Sequence, residues 1–166
     1  MDEQSTQLIE TIRQIAASEE DTEAFLWQVV EVIPQWLNDQ HLIFVWLLDE
    51  AGEWLWARAG TGELGCIVVE RQWRAQAGSR HPVAEAVRSS KPFLLDNERF
   101  AADWEQRIPR PAPLFAEDWS LSLPLHHKEQ VIGVIAVYSR ECVFDSALIP
   151  TMQGIAEEVA ARLARG

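Results

Sequence analysis

Apolar residues near the N-terminus recur at helical spacing. Leu8, Ile12 and Ile15 fall four and three apart within Ser5–Ala17, one stripe of an amphipathic helix. Asp21 then precedes Phe25, Leu26, Val29, Val30, Ile33 and Leu37, a capping carboxylate followed by the spacing of a second, broader-faced helix. Pro34 within it predicts a kink or break, because proline lacks the N–H that the helix needs.

The period then changes. Leu42–Leu48 is dense in β-branched and aromatic residues, Glu53–Ala59 alternates around Trp54 and Trp56, and Cys66–Glu70 is short and apolar; all three read as strands. Asp49-Glu50-Ala51-Gly52 reads as the hairpin turn between the first two. His81–Arg88 returns to helix, with Pro82 suited to a first turn and Val83 and Val87 four apart. Lys91-Pro92 ends it, and Phe93–Leu95 predicts a short strand.

Asp96–Asp118 has another texture, with Pro109, Pro111 and Pro113, several charges and the isolated apolar residues Phe100, Trp104, Ile108, Leu114 and Phe115. It reads as a long ordered loop, and loops of this length in a compact domain are commonly functional. Trp119, Leu121, Leu123 and Leu125 then alternate with Ser120, Ser122 and Pro124, a strand with one buried face. After a turn at His127-Lys128-Glu129-Gln130, Val131–Tyr138 is apolar on both faces and must be covered on both. Asp145-Ser146 is placed to cap a final helix with the stripe Met152, Ala156, Val159 and Leu163, and Pro150 lies in its first turns.

These elements predict an α+β domain spanning 1–166. A central antiparallel sheet of about six strands carries the N-terminal helices (1–39) and the C-terminal helix (145–166) on one face, and the mid-chain helix with the long loop on the other. The loop side is the natural place for a pocket.

Composition narrows the function. The 166 residues carry a net charge of −12, which argues against nucleic acid as a partner. Residues 1–39 hold nine acidic side chains against Arg13 alone, a solvated face in its plainest reading and a docking surface for a basic protein in its sharper one. No apolar run approaches the roughly 18–20 residues of a membrane span, and Met1-Asp2-Glu3-Gln4 lacks the basic-then-apolar start of a signal peptide, so the expected address is cytoplasmic. Cys66 and Cys142 are too few for a disulfide framework and lack zinc-site spacing.

Three strings in this order resemble the GAF domain, a small-molecule sensory module related to PAS domains. They are His81-Pro82-Val83-Ala84-Glu85-Ala86-Val87-Arg88 with Lys91–Asp96; Ser120-Leu121-Ser122-Leu123-Pro124-Leu125; and Glu129–Ser139 followed by Phe144 and the helix bearing Leu148, Ile155, Ala156, Val159 and Ala160. The resemblance covers nearly the whole chain. It implies a sensory or regulatory domain that binds a small molecule and dimerises through its terminal helices, with Leu8, Ile12, Ile15, Met152, Ala156, Val159 and Leu163 as the seam.

The family's chemical specialisations are absent at their positions. Where cyclic-nucleotide-binding members carry Asn-Lys, then Phe, then an acidic pair, this chain has Ser139-Arg140-Glu141, Phe144 and Leu148-Ile149. Bilin-binding members place a cysteine before a histidine after the long loop; here Arg80 precedes His81, which speaks against covalent bilin. No cofactor is expected. The family's free methionine sulfoxide reductase uses three cysteines, whereas this chain has two, neither in an electropositive setting. Adjacent strand residues His126 and His127 point to opposite faces and cannot share a metal ion without a bulge.

What remains for ligand binding is aromatic and polar: Trp73, Trp104, Phe115, Trp119, Ser122 and Arg74, on or beside the loop side, with arginines available to an anion. The expected function is a non-enzymatic sensory module with a small-molecule ligand and a second copy as partner. The alternatives are a pocketless interaction module using the acidic first helices, and a thiol-dependent enzyme of the sulfoxide reductase type.

Overall fold

A computed structural model describes residues 2–37, 41–95, 119–139 and 147–165. Six antiparallel strands form one sheet in the order β3-β2-β1-β6-β5-β4, with β1 at His41–Leu48, β2 at Trp54–Gly60, β3 at Arg74–Gln76, β4 at Phe93–Leu95, β5 at Trp119–His127 and β6 at Gln130–Ser139. Helices α1 (Glu3–Ser18), α2 (Thr22–Trp36), α3 (Gly62–Glu70), α4 (Pro82–Ser89) and α5 (Leu148–Ala164) pack on its two faces. The α+β class and the central antiparallel sheet expected from the sequence are both present.

Side chains alternate across the strands and sort into two cores. On one face Ile43, Val45, Leu121, Leu123, Leu125, Ile135 and Val137 meet Leu8 and Ile12 of α1, Phe25, Val29 and Ile33 of α2, and Met152, Ile155 and Val159 of α5. On the other, Phe44, Trp46, Leu55, Ala57, Val134, Ala136 and Tyr138 meet Val68 of α3 and Val83, Ala84 and Ala86 of α4. Strand β6 is buried on both sides, as its composition requires.

Helix starts follow their caps. Asp2 accepts from the Ser5 N–H at 2.8 Å and Asp21 from the Ala24 N–H at 3.2 Å, each satisfying a first-turn donor. Pro34 does not break α2, which runs on to Trp36. The carbonyl that a residue-34 N–H would have bonded is that of Val30, and the Thr61 hydroxyl donates to it at 2.7 Å. The same hydroxyl accepts from the Ile43 N–H at 2.9 Å, so Thr61 ties α2 to β1 at the place where proline leaves a vacancy in the helix ladder.

Two strand expectations are corrected. Cys66–Glu70 is not a strand but the second half of α3, and the third strand is Arg74–Gln76. The β-branched run Ile67-Val68-Val69 is helical because the chain enters through Thr61 and Gly62 (φ +69°), and because Gly65 faces Gly60 of β2 so closely that a Cβ there would lie 1.9 Å from the Gly60 oxygen. Backbone-to-backbone seating of this kind is open to glycine alone. The polar side of β5 is also not solvent-facing: Ser120, Ser122 and Pro124 are buried, on the side that carries α4. The expected cap at Asp145-Ser146 and the loop Asp96–Asp118 lie outside the described residues; the residue preceding α5 is Ala147, which makes no side-chain cap bond.

At its far end α5 is clamped to the α1–α2 junction. Buried Arg162 donates to the carbonyls of Glu19 and Glu20 and to the Thr22 hydroxyl, with its guanidinium 5.6 Å from the Phe25 ring centre. Arg165 donates to the Ala16 carbonyl. Cations beside the last carbonyls of a helix are favoured by its dipole. Among the described residues no helix is long and apolar enough to cross a membrane.

Candidate functional site

The face bearing α3 and α4 holds a polar patch inside an apolar wall. Helix α3 packs over β2, and α4 over β5 and β6, so the two helices stand on either side of β1. Between them Phe44 and Tyr138 meet edge to face with ring centres 5.5 Å apart, and Trp46 lies 5.5 Å from the His81 ring. Cross-strand register sets Ser120 against Tyr138 and Ser122 against Ala136, which carries the patch onto β5.

His81 owes its orientation to α4. Its Nδ1 accepts from the Val83 N–H at 3.2 Å as the helix N-cap, so the proton of the neutral ring is assigned to Nε2, which is buried on this side of the sheet. The ring is 0 % exposed. Ser120 and Ser122 are equally buried, and neither hydroxyl has a hydrogen-bond partner among the described residues. Leaving a hydroxyl in that state costs on the order of 1–3 kcal/mol. The two serines lie two residues apart on one strand, on the sheet face that also carries Trp46, His81 and Tyr138. No lysine, arginine, aspartate or glutamate is buried there among the described residues.

The residues singled out from the sequence are distributed as follows. Ser122 lies in the patch. Trp73 is buried in the same core, where it packs rather than lines an opening. Arg74 points the other way: its neighbour Ala75 belongs to the α3–α4 core, so Arg74 projects from the opposite face, over the rings of Trp54 and Trp56. Trp104 and Phe115 lie outside the described residues, and Trp119 begins β5. Sequence reasoning missed Trp46, His81, Ser120 and Tyr138. The available signal was the Ser-x-Ser alternation in a strand whose other face is leucine.

Of the expected dimer seam, Leu8, Ile12, Met152 and Val159 have no exposed surface and Ala156 is 6 % exposed, so these side chains are committed to the chain's own core. Ile15 and Leu163 are half-buried at its margin. Cys66 is exposed on α3, and Cys142 lies outside the described residues. His126 is exposed and His127 half-buried beside a register shift at Leu125/His126, and no cluster of metal-ligating side chains occurs among the described residues.

Comparison with known proteins gives one consistent result. The family model of the GAF domain matches residues 19–164. Among solved structures, the GAF domain of A. aeolicus NLH2 in an inactive state superposes with a TM-score of 0.76 at 14 % identity, covering 97 % of this chain and 96 % of that one. The GAF domain of an Acinetobacter phosphoenolpyruvate-protein phosphotransferase gives 0.77 at 16 %, covering 99 % and 96 %. Free methionine-R-sulfoxide reductase from Neisseria meningitidis, in complex with its substrate, gives 0.76 at 17 %, covering 99 % and 92 %. No curated protein matches the chain in sequence.

Proposed function

The chain belongs to the GAF domain family, and from that premise we propose that it is a non-enzymatic sensory or regulatory module whose ligand is a small, uncharged, hydrogen-bonding molecule held on the α3–α4 face. The observation that carries this reading is the pair of fully buried hydroxyls of Ser120 and Ser122, without a hydrogen-bond partner among the described residues. A ligand that bonds both recovers their desolvation cost, while Phe44, Trp46 and Tyr138 supply apolar contact. The absence of buried charge on this face among the described residues favours a neutral ligand over an anion.

A signal then requires that the ligand bind one arrangement of the domain better than another. Helix α4 is the natural relay, because His81 caps it from within the patch. In this proposal the domain acts in the cytoplasm as a pair, two copies meeting along the outward sides of α1 and α5, where Ile15 and Leu163 retain exposure. The sulfoxide reductase relatives favour a second reading, but the chain carries two cysteines where the resemblance calls for three, and Cys66 sits exposed on α3, away from the buried hydroxyls.

Native mass spectrometry of the purified protein, beside the denatured mass, tests the proposal. The expected result is a non-covalent small-molecule adduct that is lost on denaturation and depleted in a Ser120→Ala/Ser122→Ala variant. A bare mass, together with no thermal stabilisation by any of a panel of neutral metabolites, would remove it.

A further inference from the structure

One corner of the other sheet face has the makings of an anion clamp. Leu55 of β2 and Ala75 of β3 belong to the α3–α4 core, so Trp54, Trp56 and Arg74 project together from the opposite side. Arg74 lies opposite Trp56 in the β2–β3 ladder, and its guanidinium carbon is 5.2 Å from the Trp54 ring centre and 4.9 Å from that of Trp56. Stacking on two indoles holds the guanidinium plane and leaves its N–H edges for another partner.

Arg13 and Arg88 are paired with carboxylates. Arg74 forms no ion pair and donates no hydrogen bond among the described residues, and it is exposed beside the half-exposed tryptophans.

We infer that Trp54, Trp56 and Arg74 form a docking site for an acidic segment of a partner polypeptide, one carboxylate taken by the Arg74 fork and flanking apolar side chains seated on the indoles. Arginine and tryptophan are the residue types that dominate interface energetics, and a planar fork matches a carboxylate in bidentate fashion. A net charge of −12 disfavours an extended polyanion such as nucleic acid or an anionic bilayer, whose charge is felt over the whole surface. A short acidic segment is different: beyond a Debye length of about 10 Å the rest of the chain is screened, and what it meets within that distance includes the Arg74 guanidinium. The site does not involve the α3–α4 face and stands independently of the ligand proposed there.

The test is fluorescence anisotropy with a dye-labelled hexaglutamate peptide, using hexaglutamine as the uncharged control and wild-type, Arg74→Ala and Arg74→Lys chains whose melting temperatures are checked in parallel. Saturable binding of hexaglutamate, weakened by salt, is expected to fall about tenfold in Arg74→Ala, as for loss of a charge-assisted bond pair, and to a lesser extent in Arg74→Lys, which keeps the charge and loses the fork. No binding, equal binding of hexaglutamine, or binding unaltered in a folded Arg74→Ala chain would overturn the inference. So would self-association of the wild type that Arg74→Ala abolishes, since a second copy would then be the occupant.

Discussion

Gly65 decides where α3 can sit. With a Cβ only 1.9 Å from the Gly60 oxygen, Gly65→Ala cannot be absorbed by a rotamer change, because both sides of the contact are backbone. Overpacking typically costs about 1–3 kcal/mol, and we expect urea denaturation of Gly65→Ala to show a loss at or above the top of that range. The buried serines predict the opposite sign. Because the Ser120 and Ser122 hydroxyls are buried with no partner among the described residues, Ser120→Ala and Ser122→Ala should leave stability unchanged or raise it, by up to about 1–3 kcal/mol. A loss of that size in either variant would mean that the hydroxyl has a partner. A third residue sets a pH dependence. The Ser5 N–H holds the Asp2 carboxyl below its ordinary value of 3.8, so the folded state favours the charged cap. Its stabilising effect is present above that ordinary value and disappears as pH falls through the lower folded value. Thermal melts should therefore show a difference between wild type and Asp2→Ala at neutral pH that shrinks in strong acid.

Among the elements, α2 and β1 are joined through an exchange that proline makes necessary. Thr61→Val keeps the shape of the side chain but removes the donor to the Val30 carbonyl and the acceptor for the Ile43 N–H. The expected cost is about 1–3 kcal/mol. Pro34→Ala restores an N–H that can bond the Val30 carbonyl within the helix, so it should recover part of the loss in the Thr61→Val background, a coupling that a double-mutant cycle reads directly. If the two effects simply add, Thr61 is not compensating for the proline. The misread element is instructive beside this one. Ile67-Val68-Val69 has no period that separates a buried helix from a strand, and its identity rests on a glycine-to-glycine contact between residues of two different elements, which local spacing cannot register. The helices with capping carboxylates and long apolar stripes were legible because their signals are local. Arg74 was misplaced for a related reason: the face of a three-residue edge strand follows from its pairing with β2, and that pairing was hidden while the third strand was sought at Cys66–Glu70.

At the scale of the whole molecule, the layered order of helices, sheet and helices could be read from the chain because each period reports a buried side. The candidate site was only half legible. Ser122 is among the residues that the sequence singles out, but β5 is expected to bury one face, since small hydroxyl side chains alternate with leucine in the same way whether the polar side meets water or an interior. Here that side lies under α4, and burial turns two ordinary serines into the feature that asks for a ligand. The seam expected to join two copies was read from a true periodicity, yet most of its residues serve the packing of α1 and α5 on the sheet. Periodicity reports that a face is buried and does not say by what. The most direct measurement is therefore a native mass spectrum of the wild-type chain set beside that of Ser120→Ala/Ser122→Ala. The account predicts a dissociable small-molecule adduct on the first, depleted or absent on the second, with both chains folded and paired. An adduct retained equally by both chains, or none on the wild type under any neutral metabolite tried, would contradict it.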